Sequence, residues 1–222
     1  MRRPIILAGA SGLAREVAAA VRAAADRALL GFVDEDEDLW GTTIDDLPVL
    51  GGLAVALTRG EADVVLCPGR GSARESMVDR LRAGGFLTER YSAVVHPSVT
   101  VPDSCSVGAG SVLLAGTVLT ASVTVGQHVV VMPNVTLTHD DVVADYATIC
   151  AGVTLGGNVH VGRAAYLGMS ASVRERRAVG DRATLGMGSV LLHDLPAGQT
   201  WVGNPAAPMH VGRPCSIARP AS

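Results

Sequence analysis

The residues best suited to chemistry stand in the run Thr138-His139-Asp140-Asp141, where a histidine is followed by two carboxylates. A histidine titrates near neutral pH, and a neighbouring carboxylate can fix its tautomer and stabilise the imidazolium that forms when it accepts a proton. His139 is therefore a candidate general base, with Asp140 as its acidic partner. The competing interpretation is a surface histidine in an acidic turn.

This run lies in a region where every sixth residue is aliphatic. From Val95 to Leu191, seventeen consecutive hexad positions carry Val, Leu or Ile without an insertion. One aliphatic and one small inward residue per hexad, followed by a turn, is typical of short parallel strands wound into a three-sided prism. We predict an all-β left-handed parallel β-helix, the hand being that of known hexapeptide folds. Asp141 and Arg177 replace the small residue in their hexads, and because burying a charge is costly we expect a distorted coil or side chains that leave the core.

Three hexads make one coil, so residues 18 apart stack at about 4.8 Å. Residue 139 plus 18 is Gly157, which places a backbone without a side chain one coil away from the histidine. Its N–H could stabilise the oxyanion of an acyl-transfer intermediate. A glycine required by the turn is the alternative. The other histidines are scattered and no three share a stack, so no metal is expected; they are His96, His128, His160, His193 and His210.

The first ninety residues alternate predicted strands and helices, which is typical of a small Rossmann-like parallel sheet. The predicted elements are a strand at 4–8, a helix after residue 12, strands at 28–33 and 63–67, and a helix at 72–83.

A glycine turn between the first strand and the first helix is a candidate ligand site. Gly9, Ser11 and Gly12 would let a ligand approach the backbone, and the helix start offers free N–H groups to a phosphate. Asp34 follows the second strand, where an acidic side chain can meet a ribose. A structural turn and a solvated acidic loop are the alternatives.

Composition bounds the remaining possibilities. The 222 residues include 18 Arg and no Lys, which excludes lysine Schiff-base chemistry and a Walker lysine. A net charge of -3 gives no basic field for nucleic acid. The four cysteines are too sparse for a disulfide scaffold, and no apolar run is long enough to span a membrane, so we expect a cytoplasmic protein.

Together these motifs resemble one known family, the bacterial hexapeptide-repeat acetyltransferases of the sialic acid O-acetyltransferase (NeuD) and PglD nucleotide-sugar N-acetyltransferase type. The likeness covers roughly residues 4–208. Its motifs are GASGLAREV at the glycine turn, FVDED after the second strand, HPS at the domain boundary, the hexads, THDD, and the closing WVGNPA.

The resemblance implies an acetyl-CoA-dependent homotrimer in which His139 deprotonates the acceptor and Gly157 contacts the thioester carbonyl. It further implies that the pantetheine arm lies beside Met169 and Met187, which are one coil apart, and that the glycine turn and Asp34 hold a nucleotide-sugar acceptor. Three family positions differ. The histidine of the glycine turn is replaced by Leu13 or Ala14, a second active-site histidine by Thr148, and a basic residue near the end by Ala207.

We therefore predict three segments: residues 1–92 as an acceptor-binding domain, 93–208 as the acyltransferase domain, and 209–222 as a tail. The predicted function is acetyl transfer to an amino or hydroxyl group of a sugar or nucleotide sugar. The alternatives are an inactive hexapeptide-repeat binding or scaffold protein, an acyltransferase with a non-sugar acceptor, and a metal-dependent lyase or hydratase.

Overall fold

A computed structural model describes residues 3–209, and the predicted tail lies outside them apart from Met209. The N-terminal part has three α-helices, two short 3-10 helices and five strands among these residues. In chain order they are β1 (Arg3–Ala8), α1 (Gly12–Ala24), β2 (Arg27–Val33), a 3-10 helix (Glu37–Leu39), β3 (Thr43–Ile44), β4 (Leu47–Pro48), α2 (Val55–Thr58), β5 (Asp63–Leu66), α3 (Gly71–Ala83) and a 3-10 helix (Thr88–Arg90).

The central sheet of this part is parallel, with the strand order β2-β1-β5. Successive side chains of a strand point to opposite faces, and β1 shows this directly. Ile5 and Leu7 join the cluster that includes α1, whereas Ile6 and Ala8 join the cluster that includes Val78 of α3. The predicted small α/β unit with a parallel sheet is confirmed, and the structure adds that its helices pack on both faces of the sheet.

The rest of the described chain is a β-solenoid whose strands are two residues long except for the three-residue β22, and nearly all of them end at an inward aliphatic residue of the hexad series. These strands are β6 (Val94–Val95), β7 (Ser106–Val107), β8 (Val112–Leu113), β9 (Val118–Leu119), β10 (Thr124–Val125), β11 (Val130–Val131), β12 (Thr136–Leu137), β13 (Val142–Val143), β14 (Thr148–Ile149), β15 (Thr154–Leu155), β16 (His160–Val161), β17 (Tyr166–Leu167), β18 (Ser172–Val173), β19 (Ala178–Val179), β20 (Thr184–Leu185), β21 (Val190–Leu191), β22 (Thr200–Val202) and β23 (Ala207–Pro208).

The strands form three faces. One sheet has the order β7-β10-β13-β16-β19, a second β9-β12-β15-β18-β21, and the largest β6-β8-β11-β14-β17-β20-β22-β23. Neighbours pair with the residue one full coil away, as Val130 with Thr148 and Val131 with Ile149. The closing coil is shorter, because Thr184 pairs with Thr200. The three faces and about six turns are consistent with the predicted left-handed parallel β-helix.

The expectation of a distorted coil or an escaping side chain was wrong for Asp141. Its side chain is fully buried, and both flanking strands remain in register. The carboxylate is tolerated because Oδ2 accepts from Thr138 N–H and Oδ1 accepts from Val159 N–H, each at 2.8 Å. Arg177 behaves as expected: its side chain is one-third exposed and its Nη1 lies 3.5 Å from Asp194 Oδ1.

The two parts share a hydrophobic contact. The outward-facing residues Val94, Val112 and Val130 of the largest sheet are buried in the same cluster as Val17 and Val21 of α1. Burial of this kind fixes the N-terminal part on that sheet. No helix in the described range 3–209 has the length and apolar character needed to cross a membrane.

Candidate active site

His139 lies in the turn between β12 and β13, at one edge of the solenoid. Its Nδ1 is 2.8 Å from Asp140 Oδ2, and about two-thirds of its side chain is exposed. Because a carboxylate only accepts hydrogen bonds, the neutral ring carries its proton on Nδ1 and keeps a lone pair on Nε2. Asp140 takes the left-handed position of the turn, with φ 63°. The pair is thus arranged as an oriented general base.

Gly157 of the next coil lies directly against the ring, as the coil arithmetic predicts. A Cβ added to Gly157 would be 2.3 Å from His139 Nε2 and 2.4 Å from Cε1, so only glycine leaves room for the ring in its present position. The neighbouring Asn158 N–H donates to His139 O at 2.8 Å. The Gly157 N–H itself donates to no atom of residues 3–209 and is available to a ligand.

Asp141 supports this turn from inside the coil. Burial raises the pKa of its carboxyl to about 6, although the N–H groups of Val159 and Thr138 oppose the shift. Thr138 also donates through Oγ1 to Leu155 O at 3.0 Å. The two strands on either side of His139 are therefore tied to each other and to the coil that carries Gly157.

The carboxyl ends of β1, β2 and β5 bring three loops together, residues 9–12, 34–36 and 67–70, which we name the strand-end crevice. Gly9 has φ +101°, a left-handed conformation that favours glycine, and its N–H donates to Val33 O at 2.7 Å. Cys67 N–H donates to Ala8 O at 2.7 Å. In open parallel sheets, ligands bind at such strand ends.

The four predicted acceptor residues all lie at this crevice. α1 begins at Gly12, with Ser11 as an extended N-cap residue, and has no acidic side chain in its first turn. Asp34 Oδ2 accepts from Ala10 N–H at 2.7 Å, and its Oδ1 accepts from Asp36 N–H at 3.0 Å. Asp34 therefore joins the first two loops, a role that the sequence did not indicate.

Met169 and Met187 lie on successive coils, since Gly188 N–H donates to Met169 O at 2.8 Å. Their side chains are 51% and 72% exposed, which is unusual for large apolar groups. They follow β17 and β20 of the largest sheet, whereas His139 follows β12 of another sheet. Within one chain the methionines and the histidine are therefore on different edges of the prism.

Comparison with known proteins shows which family and which solved structures this chain resembles. The PglD N-terminal domain family matches residues 4–81. WeeI from Acinetobacter baumannii AYE has 30% identity and a TM-score of 0.83, covering 92% of this chain and 99% of that one. The acetyltransferase domain of PglB from Neisseria gonorrhoeae FA1090, solved with acetyl coenzyme A, has 29% identity and a TM-score of 0.84, covering 94% and 100%. PerB from Caulobacter crescentus, solved with CoA and GDP-perosamine, has 25% identity and a TM-score of 0.85, covering 93% and 97%.

The chain belongs to the PglD/NeuD-type sugar acetyltransferases. The family and the acetyltransferase activity predicted from the sequence are thereby confirmed. Among curated protein sequences, none gives a significant match.

At the positions where this acetyltransferase departs from its family, the structure shows what the replacements do. Leu13 and Ala14 are buried and face the hydrophobic core instead of the crevice. Thr148 is fully buried and donates through Oγ1 to Gly69 O at 2.8 Å. Ala207 is exposed on β23.

Two buried residues of the acetyltransferase gave no signal in the sequence. Arg74 is fully buried, and every partner it has among the described residues is a backbone carbonyl or a hydroxyl. His128 is also buried, between the rings of Tyr91 and Tyr146. Partners drawn from several elements, including backbone oxygens, leave no spacing pattern that sequence reasoning could detect.

No cluster of three or more His, Cys, Asp or Glu side chains suited to a metal ion occurs within residues 3–209.

Proposed function

We propose that this protein transfers an acetyl group from acetyl-CoA to an amino or hydroxyl group of a nucleotide-linked sugar, with His139 as the general base. The observation that supports this proposal most directly is the packing of the His139–Asp140 pair against Gly157. Both His139 Nε2 and the Gly157 N–H are free of protein partners in the described chain. In this proposal residues 1–92 hold the acceptor, and residues 93–208 carry the chemistry.

The proposed reaction is direct acyl transfer. His139 Nε2 takes a proton from the acceptor as the acceptor nitrogen or oxygen forms a bond to the thioester carbonyl carbon. The Gly157 N–H donates to the oxyanion of the tetrahedral intermediate, and the carboxylate of Asp140 stabilises the imidazolium. When the C–S bond breaks, the imidazolium returns its proton to the leaving thiolate, and CoA and the acetylated acceptor are released.

The acceptor class follows from the strand-end crevice and from the relatives. The Gly9 turn brings backbone close to a ligand, and the first turn of α1 presents N–H groups that suit a diphosphate. Asp34 retains lone pairs for a ribose hydroxyl after accepting its two backbone bonds. PerB binds a nucleotide sugar, GDP-perosamine, in the same fold, which supports a nucleotide sugar here.

Acetyl-CoA binding is proposed at a junction between subunits. Met169 and Met187 offer an apolar strip to the pantetheine arm, but they lie on a different edge from His139. A homotrimer of prisms would bring the strip of one subunit to the histidine edge of the next. We further propose a cytoplasmic location, since acetyl-CoA and nucleotide sugars are supplied there.

The test is thiol release from acetyl-CoA with a panel of UDP-, GDP- and dTDP-linked amino sugars. We expect release with at least one member, and a loss of about 10³-fold in kcat for His139→Ala. His193→Ala is the matched control, because this exposed histidine stands three coils further along the same ladder. Equal rates for wild type and His139→Ala would remove the proposed base.

A further inference from the structure

Arg74 of α3 joins the N-terminal part of the protein to the solenoid. Its side chain is fully buried, and burial lowers its pKa to about 10, so the guanidinium stays protonated at neutral pH. A buried charge of this kind persists only when its donors are all used. Its Nε, Nη1 and Nη2 donate over 2.7–3.2 Å to the acceptors Pro68 O, Gly69 O, His128 O, Tyr146 O, Ala147 O and Thr148 Oγ1.

Thr148 completes the connection from the solenoid side. Its Oγ1 accepts from Arg74 Nη2 at 3.1 Å and donates to Gly69 O at 2.8 Å. Gly69 belongs to the loop 67–70 of the strand-end crevice, and the same loop contacts Gly9, where an added Cβ would be 3.5 Å from Pro68 Cδ. We name Arg74 and Thr148 the interdomain clamp.

The clamp connects the crevice to the coil that carries the candidate base. Thr148 follows His139 by half a coil, and the strands between them are in regular register. Any shift of the loop 67–70 relative to Thr148 would therefore change the distance between the crevice and the catalytic turn. Direct contact with a ligand is excluded for Thr148 by its burial.

We propose that Arg74 and Thr148 are positioning residues that set the acceptor-binding crevice relative to the solenoid. This inference rests on the proposed function, because it assigns the crevice to the acceptor. It predicts that loosening the clamp raises the KM for the acceptor and leaves the KM for acetyl-CoA unchanged.

The decisive variant is Thr148→Val, which keeps the shape of the side chain and removes the hydroxyl. We expect the acceptor KM to rise about ten-fold, because Gly69 O loses the shorter of its two hydrogen bonds and keeps only the one from Arg74 Nη1, while Arg74 Nη2 loses one acceptor. The KM for acetyl-CoA should stay within about two-fold, and Thr148→Ser should restore the acceptor KM. Arg74→Lys should act in the same direction, but it leaves several buried carbonyls without a donor and so disturbs folding more than Thr148→Val does.

Thr154→Val is the matched control. Thr154 occupies the same hexad position on β15, is exposed, and its Oγ1 contacts Ser172 Oγ at 3.1 Å on the next coil, away from the N-terminal part. An acceptor KM for Thr148→Val within two-fold of wild type would overturn the inference. Equal increases in the KM of both substrates would also overturn it, because they would indicate a general loss of structure.

Failure of the proposed function gives a different result. In that case the wild type releases no thiol with any acceptor, and the clamp is judged by amide hydrogen exchange at Gly9 and Cys67, whose N–H groups are bonded in the crevice. Faster exchange in Thr148→Val than in Thr148→Ser and Thr154→Val supports the clamp. Equal exchange in all three variants overturns it.

Discussion

Two histidines of the solenoid pack against a glycine on a neighbouring coil, and their surroundings differ. His139 lies over Gly157 of the following coil, and His128 lies over Gly110 of the preceding coil. In both pairs a Cβ on the glycine would be 2.3 Å from a ring nitrogen. The His139 side chain is two-thirds exposed beside a carboxylate, whereas His128 is 1% exposed between Tyr91 and Tyr146.

The same packing of a ring on a glycine thus leaves one histidine open to solvent and seals the other from it. Asp140 orients the His139 ring through Nδ1 and leaves its Nε2 open to a substrate. His128 Nδ1 has no hydrogen-bond partner in residues 3–209. Burial, with a smaller contribution from the positive charge of Arg74, lowers the pKa of His128 to about 4. The first histidine suits catalysis and the second suits the packing of the two parts.

Exchanging each histidine for asparagine should separate chemistry from stability. We expect His139→Asn to lower kcat by about 10³-fold with an unchanged Tm, because it removes the proposed general base from an exposed turn. His128→Asn should lower the Tm and leave the kcat of the folded enzyme within about two-fold. Thermal melts and initial rates, measured on the same preparations, check both. A large rate loss in His128→Asn below its Tm would break the distinction.

Substituting alanine for Gly110 and for Gly157 should separate the two sites further. Gly110 has φ +71° and its neighbouring ring is buried, so Gly110→Ala should lower the free energy of unfolding by about 3 kcal/mol. Gly157 has an ordinary φ, and the exposed His139 ring can move away from an added methyl group. Gly157→Ala should therefore cost less than about 1 kcal/mol, while lowering kcat by about ten-fold or more. Denaturant titration and kinetics check the pair, and equal losses of stability would contradict the account.

Stability should also depend on pH through His128. The unfolded chain binds a proton on this residue below about pH 6.5, but the folded protein does so only near pH 4, so stability falls as the pH drops through this interval. Between pH 7.5 and pH 5 the loss should be about 2 kcal/mol larger in wild type than in His128→Phe. Asp141 acts in the opposite sense, because its pKa is raised to about 6, and it cancels in the comparison. Equal losses in the two proteins would show that His128 does not titrate in this way.

The smallest effect is expected at Asp140. Asp140→Asn keeps a side chain of the same size but removes the charge that, in the proposed mechanism, stabilises the imidazolium of His139. Because both side chains are more than half exposed, water can replace part of this interaction. We expect kcat to fall about ten-fold and the Tm to remain constant. A rate equal to that of wild type would show that the carboxylate does not assist the base.

The solenoid could be predicted closely, because the positions of the inward aliphatics set both the strands and the register between coils. Val101 is the exception, since it follows the hexad pattern but lies outside any described strand. The same arithmetic places Gly157 one coil from His139, and the glycine does lie against that ring.

Residues whose partners are backbone atoms could not be predicted. Asp141 was expected to disturb its coil or leave the core. It stays buried because each of its carboxylate oxygens accepts a hydrogen bond from a backbone N–H. Arg74 is satisfied by carbonyl oxygens on separate segments, which carry no sequence signature. His128 is buried in part by Tyr91, which precedes the hexads and so lies outside their pattern.

The central claim is that His139 Nε2 and the Gly157 N–H face the same thioester. A crystal structure of the protein with acetyl-CoA, or with a stable thioether analogue that keeps the carbonyl, tests it most directly. We predict the carbonyl oxygen within about 3 Å of Gly157 N, and the carbonyl carbon close enough to Nε2 for an acceptor atom to lie between them. A bound acetyl group more than about 8 Å from both atoms, in a crystal that contains the proposed trimer, would contradict it.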